Sequence, residues 1–181
     1  MPVQTWEAAL NAGAPYQTTD GAAYASSTSA TDVSPGANIV LPANWYYPGM
    51  LFRWMAWGIY SNTGTPNLTL GVYYGGVAGS ALAATAATAT GSGVSNLMWR
   101  IEGTTRITTL GSSGSADSFG LCHGVAATAS TPILIPVSSA SGNAVTINTT
   151  TANAWTVGAT WGTNSGSNTL KCYYFLLEQL T

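Results

Sequence analysis

The chain has 181 residues, and its four basic and six acidic side chains make up 6% of it, against about 25% in an ordinary soluble domain. A surface so poor in charge must be covered by Thr, Ser, Asn, Gly and Ala; it steers charged ligands poorly and leaves few titratable groups for an active site. The formal net charge of −2 and the scatter of Arg53, Arg100, Arg106 and Lys171 disfavour nucleic-acid binding through phosphates, and no apolar window reaches the roughly 18 to 20 residues that span a bilayer.

The opening, MPVQTWEAALNAGAP, lacks the basic and apolar blocks of a secretory signal, so the expectation is a soluble protein made in the cytoplasm. Residues 1–37 are mostly small and polar, and YASSTSATDVSPGAN reads as unable to supply a core segment. They are expected to form an extended N-terminal arm that becomes ordered on a neighbour. Trp6, Leu10, Tyr16 and Tyr24 are its apolar anchors, the first two on a short helical turn, TWEAAL.

From residue 38 to 181 the chain reads as strands in one domain, with six Trp, seven Tyr and three Phe to fill its core. NIVLP comes first, followed by MLFRWMAWGIY, in which Leu51, Arg53, Met55, Trp57 and Ile59 alternate with Phe52, Trp54, Ala56 and Tyr60. Both faces are large and apolar, so this strand is expected to be covered on both sides. In NLTLGVYY, Leu68, Leu70, Val72 and Tyr74 recur with the period of two of a half-buried strand. ALAATAATAT is ambiguous: its Ala content favours helix, its repeated Thr favours a strand or extended loop. SNLMWRIEG, RITTL, SFGLCHGVA, PILIPV, NAVTIN, AWTVGATW and TLKCYYFLLEQL complete the series. SNTGTPN, GSSGSADS, SSASGN and GTNSGSN are turns between them. No strand alternates with a helical pattern, which leaves an all-β architecture of two packed antiparallel sheets with about eight to ten strands.

Catalytic constellations are scarce. His123 is the single histidine, and its neighbour Cys122 points to the opposite face of the same strand, so the two do not form a nucleophile and base. Cys122 and Cys172 read as two buried thiols, because two Cys and one His fall short of a four-ligand metal set. Of the six carboxylates only Glu102 and Glu178 belong to predicted strands; Asp117 falls in a Ser/Gly turn. Glu102 or Glu178 is expected to pair with Arg53, Arg100 or Arg106 at an interface or sheet edge rather than to act on a sugar. No nucleotide, hydrolase or metalloprotease motif is present, and neither a cofactor nor a metal is expected. The sequons at Asn67 and Asn148 carry no weight without export. Trp45, Tyr46 and Tyr47 offer a sugar-stacking platform as the alternative to core packing.

The succession NIVLP, WYYPGMLFRWMAWGIYSNTGTPNLTLGVYYGG, NLMWRIEG and AWTVGATWGTNSGSNTLKCYYFLLEQL resembles small virion proteins of tailed bacteriophages. Those are built on a jelly roll like that of tumour necrosis factor and complement head domains and assemble as trimers. The resemblance covers about residues 38–181 and lies in turns and strands, not in a catalytic motif. It implies a homotrimer whose 50–60 strand and terminal strand lie near the axis. Arg53, Trp54, Trp57, Arg100, Glu102, Tyr174 and Glu178 are the expected subunit contacts. It further implies a non-enzymatic capsid decoration (minor capsid) protein in the virion, bound to the major capsid protein or a neighbour through its arm, without nucleic acid or membrane. The alternative is a tail-tip or receptor-binding module that recognises host cell-surface sugars.

Overall fold

The computed structural model describes residues 20–21, 23–25, 27–36, 38–125, 133–136 (backbone alone) and 144–180. Among them there is no helix, and the chain forms strands throughout: β1 (Tyr24–Ala25), β2 (Thr31–Asp32), β3 (Ile39–Leu41), β4 (Leu51–Ser61), β5 (Asn67–Tyr74), β6 (Ser80–Ala84), β7 (Thr88–Ala89), β8 (Leu97–Thr109), β9 (Gly114–His123), β10 (Ile133–Pro136), β11 (Ala144–Ile147), β12 (Asn153–Trp161) and β13 (Thr169–Gln179). One sheet runs β1-β13-β4-β8-β9-β10, with β11 also on β9; the other runs β2-β12-β5-β6, with β3 on β12 and β7 on β5. Every pairing is antiparallel. The two sheets are curled and face each other across one hydrophobic core, which confirms the all-β sandwich expected from the sequence.

Alternation decides which side chains fill that core. In β4, Phe52, Trp54, Ala56 and Tyr60 are at most 1% exposed, while Arg53 lies on the outer face. The sheets meet through aromatic pairs. Phe52 of β4 lies 5.1 Å from Trp155 of β12 and Tyr60 of β4 lies 6.2 Å from Trp161 of β12, ring centre to ring centre. Trp54 is expected at a subunit contact from sequence, but it is fully buried inside its own protomer. The register aligns Trp54 with Gly103 of β8, and Gly103 with Gly120 of β9. A Cβ on either glycine would come within 2.5 Å of the Trp54 ring, so the indole lies in a trough that only missing side chains leave open. Its Nε1 donates to Thr105 Oγ1 at 3.0 Å, and Thr105 shares a 2.8 Å hydrogen bond with Ser118. The polar end of the ring is thus satisfied inside the core.

Two further expectations need correction, and the doubtful segment ALAATAATAT takes the extended form that its Thr residues favour. Tyr24 is 7% exposed in β1, and Val33 is 3% exposed with its N–H bonded to Val157 C=O at 2.9 Å. The segment read as too polar for a core therefore supplies two core side chains, because short pairings to β13 and β12 dock its backbone. Residues 20–36, as far as described, belong to the sandwich and not to an arm; Trp6, Leu10, Tyr16 and the TWEAAL turn lie outside the described residues. ALAATAATAT forms β6 and β7, and Thr85 between them exchanges two hydrogen bonds with Leu70, its N–H to the carbonyl at 2.8 Å and its Oγ1 from the N–H at 3.0 Å. These bonds join residues fifteen apart in the chain and tie the end of β6 to β5, which holds the segment extended. Last, NLMWRIEG and RITTL are a single strand, β8, and GSSGSADS is split so that Gly114–Ser118 opens β9; Asp117 is a strand residue.

Candidate functional site: the outer face of the larger sheet

The registers of β13, β4, β8 and β9 lay the outward side chains in rows across the sheet. One row is Glu178, Arg53, Thr104 and Phe119; the next is Leu176, Met55, Glu102 and Leu121; a third is Tyr174, Trp57, Arg100 and His123. Lys171, Ile59 and Met98 follow at one end, with Arg106 and Asp117 at the other. All four basic residues of the chain and three of its six acidic ones therefore stand on this face. The other described carboxylates are Asp20 and Asp32.

Cross-strand and neighbouring charges pair there. Arg53 bonds Glu178, Arg100 bonds Glu102, and Arg106 bonds Asp117 at 2.5 Å. His123 Nε2 lies 3.7 Å from Glu102 Oε1. These pairs bear out the expectation that Glu102 and Glu178 meet Arg53 and Arg100, here within one protomer. Each side chain is between 32% and 58% exposed, so solvent screens the pairs and their net worth in the isolated chain is small, about 0–1 kcal/mol each.

An irregularity in β13 builds the centre of the face. The register with β4 shifts between Cys172 and Tyr174, which leaves Tyr173 as the extra residue of a β-bulge. Leu170 and Cys172 point inward before it and Phe175 and Leu177 after it, so Tyr173 and Tyr174 are both turned outward. They flank Trp57, with ring centres at 5.6 Å edge-on for Tyr173 and 6.4 Å stacked for Tyr174. Opposite the bulge stands Gly58, where a Cβ would fall 1.9 Å from the Lys171 carbonyl oxygen. The Cys172 thiol donates to the Tyr174 carbonyl at 3.3 Å.

Shallow grooves cross this face, one lined by Met55, Trp57, Met98, Arg100 and His123, another by Arg53, Glu102, Thr104 and Leu176. Their walls are apolar stems and rings, with no buried acid or base aimed at the floor. Among the described residues no three His, Cys, Asp or Glu side chains cluster as metal ligands. The two thiols are buried and unbridged, and burial pushes both up to about 12, so neither is a thiolate at neutral pH. At 45–47, Tyr46 is buried against Phe52 and Tyr74, and Trp45 is half-buried on Tyr46 and Phe52. Only Tyr47, at 44%, is exposed, which leaves one ring rather than a platform. Burial also holds Tyr60, Tyr73 and Tyr74 above the ordinary phenol range.

The structure thus brings Arg53, Trp57, Arg100, Glu102, Tyr174 and Glu178 onto one surface and removes Trp54 and Tyr24 from any surface. Sequence reasoning missed Tyr173, Met98, Phe119 and Asp117. The bulge had one signal, the change of the apolar positions in β13 from even to odd numbers between Cys172 and Phe175. No protein-family model, curated protein or solved structure matches the chain.

Proposed function

We propose that the protein is a non-enzymatic structural protein of a tailed-bacteriophage virion, a homotrimeric jelly roll that decorates and stabilises the outside of the head. The observation that carries this reading is the strand order. The chain crosses from the smaller sheet at β3 to the larger at β4, back for β5 and β6, over again at β8, and finally through β12 to β13. The last two long strands, β12 and β13, lie between the earliest strands and the β4, β5 pair. This order supports a jelly roll of two interleaved Greek keys, with β9 to β11 as an insertion before β12. A sandwich with few charges and paired carboxylates acts through contact, and many weak contacts repeated over symmetric copies give a coat its strength.

Counting this chain on purified particles tests the reading: hundreds of copies are expected, and a few to some tens would move the protein to the tail. Light scattering on the isolated protein is expected to return the mass of three 18.5 kDa chains. The arm, reduced to residues 1–19, is the proposed tether to the major capsid protein. Its removal is expected to abolish attachment to particles while the far-ultraviolet spectrum keeps its β signature.

A further inference from the structure

We propose that a hard divalent cation of the Ca2+ class binds where β2 passes to β3, held by the side-chain oxygens of Asp32, Asn38 and Thr156. The site lies on the outer face of the smaller sheet, and the proposal stands apart from the virion reading above.

The backbone builds the site. β2 and β3 both pair with β12, Asp32 opposite Gly158 and Ile39 opposite Trp155, and Val33 N–H bonds Val157 C=O. The chain therefore leaves the ladder at Ser34 and returns at Ile39, beside the single residue Thr156. Trp155 and Val157 are buried in the core, so Thr156 between them points outward. Asp32 and Asn38 share that side, because Asn38 Nδ2 donates to Asp32 Oδ2 at 2.9 Å. Ser34 fixes the departure from both directions: its N–H donates to Asp32 Oδ1 at 2.8 Å, and its Oγ accepts from Val157 N–H at 2.8 Å.

Two oxygens at this place are left over. Asn38 Oδ1 and Thr156 Oγ1 are closed off from solvent without a hydrogen-bond partner, and Thr156 as a whole is 0% exposed. Native proteins avoid leaving buried polar atoms in that state. The neighbouring Asp32 carboxylate can only accept, as can Asn38 Oδ1, and the Thr156 hydroxyl oxygen also has lone pairs to give. What such a group lacks is a positive centre.

No basic side chain supplies one. Arg53, Arg100, Arg106 and Lys171 all stand on the outer face of the other sheet, and the three arginines are paired there. Asp32 has no ion pair among the described residues. Oxygen donors without nitrogen or sulfur select a hard cation over zinc or copper. Ca2+ takes about six to eight oxygens in flexible geometry, whereas Mg2+ demands a near-ideal octahedron, so a turn with an exposed carboxylate and room for water suits Ca2+. With one carboxylate, affinity falls at the weak end of the range, about 0.1 to 1 mM. The bound ion clips β2 and β3 onto β12 and so holds the segment that carries Val33 into the core.

The experiment titrates the full chain with calcium chloride by calorimetry and records melting curves with Ca2+ or Mg2+ at about 10 mM. The expected result is one Ca2+ bound per chain with a dissociation constant of about 0.1 to 1 mM, and a melting temperature raised by several degrees with Ca2+ and by less with Mg2+. Asp32→Asn should raise the dissociation constant about tenfold or more, since ligand charge sets the affinity. Thr156→Val keeps the shape and removes the hydroxyl; it should weaken binding about threefold or more while leaving the metal-free protein at least as stable. Absence of saturable Ca2+ binding overturns the proposal. Binding that both variants leave unchanged overturns the site, because the ion then sits elsewhere. Neither result touches the copy number or mass on which the virion reading depends.

Discussion

At the scale of single residues, Trp54 shows how a large side chain is accommodated by what its neighbours lack. The indole occupies the space of two absent side chains, so Gly103→Ala or Gly120→Ala must push it out of place. Such overpacking costs about 1–3 kcal/mol, and at roughly 2–4 °C per kcal/mol the melting temperature should fall by several degrees. Gly166→Ala, where no heavy atom lies within 4 Å of the added methyl, should leave calorimetry unchanged and separates this effect from a general cost of removing glycine. The two thiols give a second prediction at this scale. Each releases its proton near 9.0 in the unfolded chain and near 12 in the folded one, so between those values the native state holds protons that the unfolded state has lost. The thiols' contribution to stability is therefore expected to be constant up to about pH 9 and to fall as pH rises beyond it, by roughly 1.4 kcal/mol per pH unit for each thiol. Urea midpoints at pH 7, 9 and 11 measure this directly; equal midpoints at 9 and 11 would refute it. Native protein should also resist alkylation that labels both cysteines once it is unfolded.

Individual strands show where the sequence was readable and where it was not. The period of two in β5 and the double apolar face of β4 were plain, because each spans eight or more residues with consistent alternation. Which face of β4 turns inward was not, since Arg53, Met55 and Trp57 offer about as much apolar surface as Phe52, Trp54 and Ala56; the choice is made by Gly103 and Gly120 on other strands. The same limitation hid β1 and β2. Tyr24 and Val33 are isolated apolar residues among Ser, Thr and Ala, and they enter the core because strands distant in sequence accept their backbones. The outward pairing of Tyr173 with Tyr174 depends on one extra residue, which shifts every later side chain of β13 to the opposite parity. Gly58 is the residue that allows it. Gly58→Ala should strain the bulge, lower the melting temperature, and change the near-ultraviolet circular dichroism of the Trp57 cluster; an unaltered aromatic spectrum would show that the bulge does not depend on the missing Cβ.

For the molecule as a whole, the division of labour between the two sheets is the main result. Both are curled around the same aromatic core, but the outward side of one gathers the basic residues and half of the acidic ones, while the outward positions of β5 and β12 on the other, Thr69, Gly71, Tyr73, Thr156, Gly158 and Thr160, are uncharged. The candidate surface could be guessed from sequence only as a scatter of charged and aromatic residues, because their common face depends on the registers of four strands, three of which are far apart in the chain. If copies meet on that face, the strength of the contact comes mainly from rings and thioethers, since the ion pairs are half-exposed and screened. The association constant should therefore change by less than tenfold between 0.1 and 1 M sodium chloride, as measured by sedimentation; a steep loss with salt would assign the contact to the charges instead.

If copies cover that face in an assembly, the gathering of charge there bears on how the assembly stays in solution. Once that side is covered, the described surface that remains carries only Asp20 and Asp32 as formal charges. The described surface then contributes little electrostatic repulsion between assemblies, and colloidal stability there passes to the water held by hydroxyl and amide groups. Such an assembly is expected to stay dispersed in brine but to precipitate early in ammonium sulfate, which competes for that water.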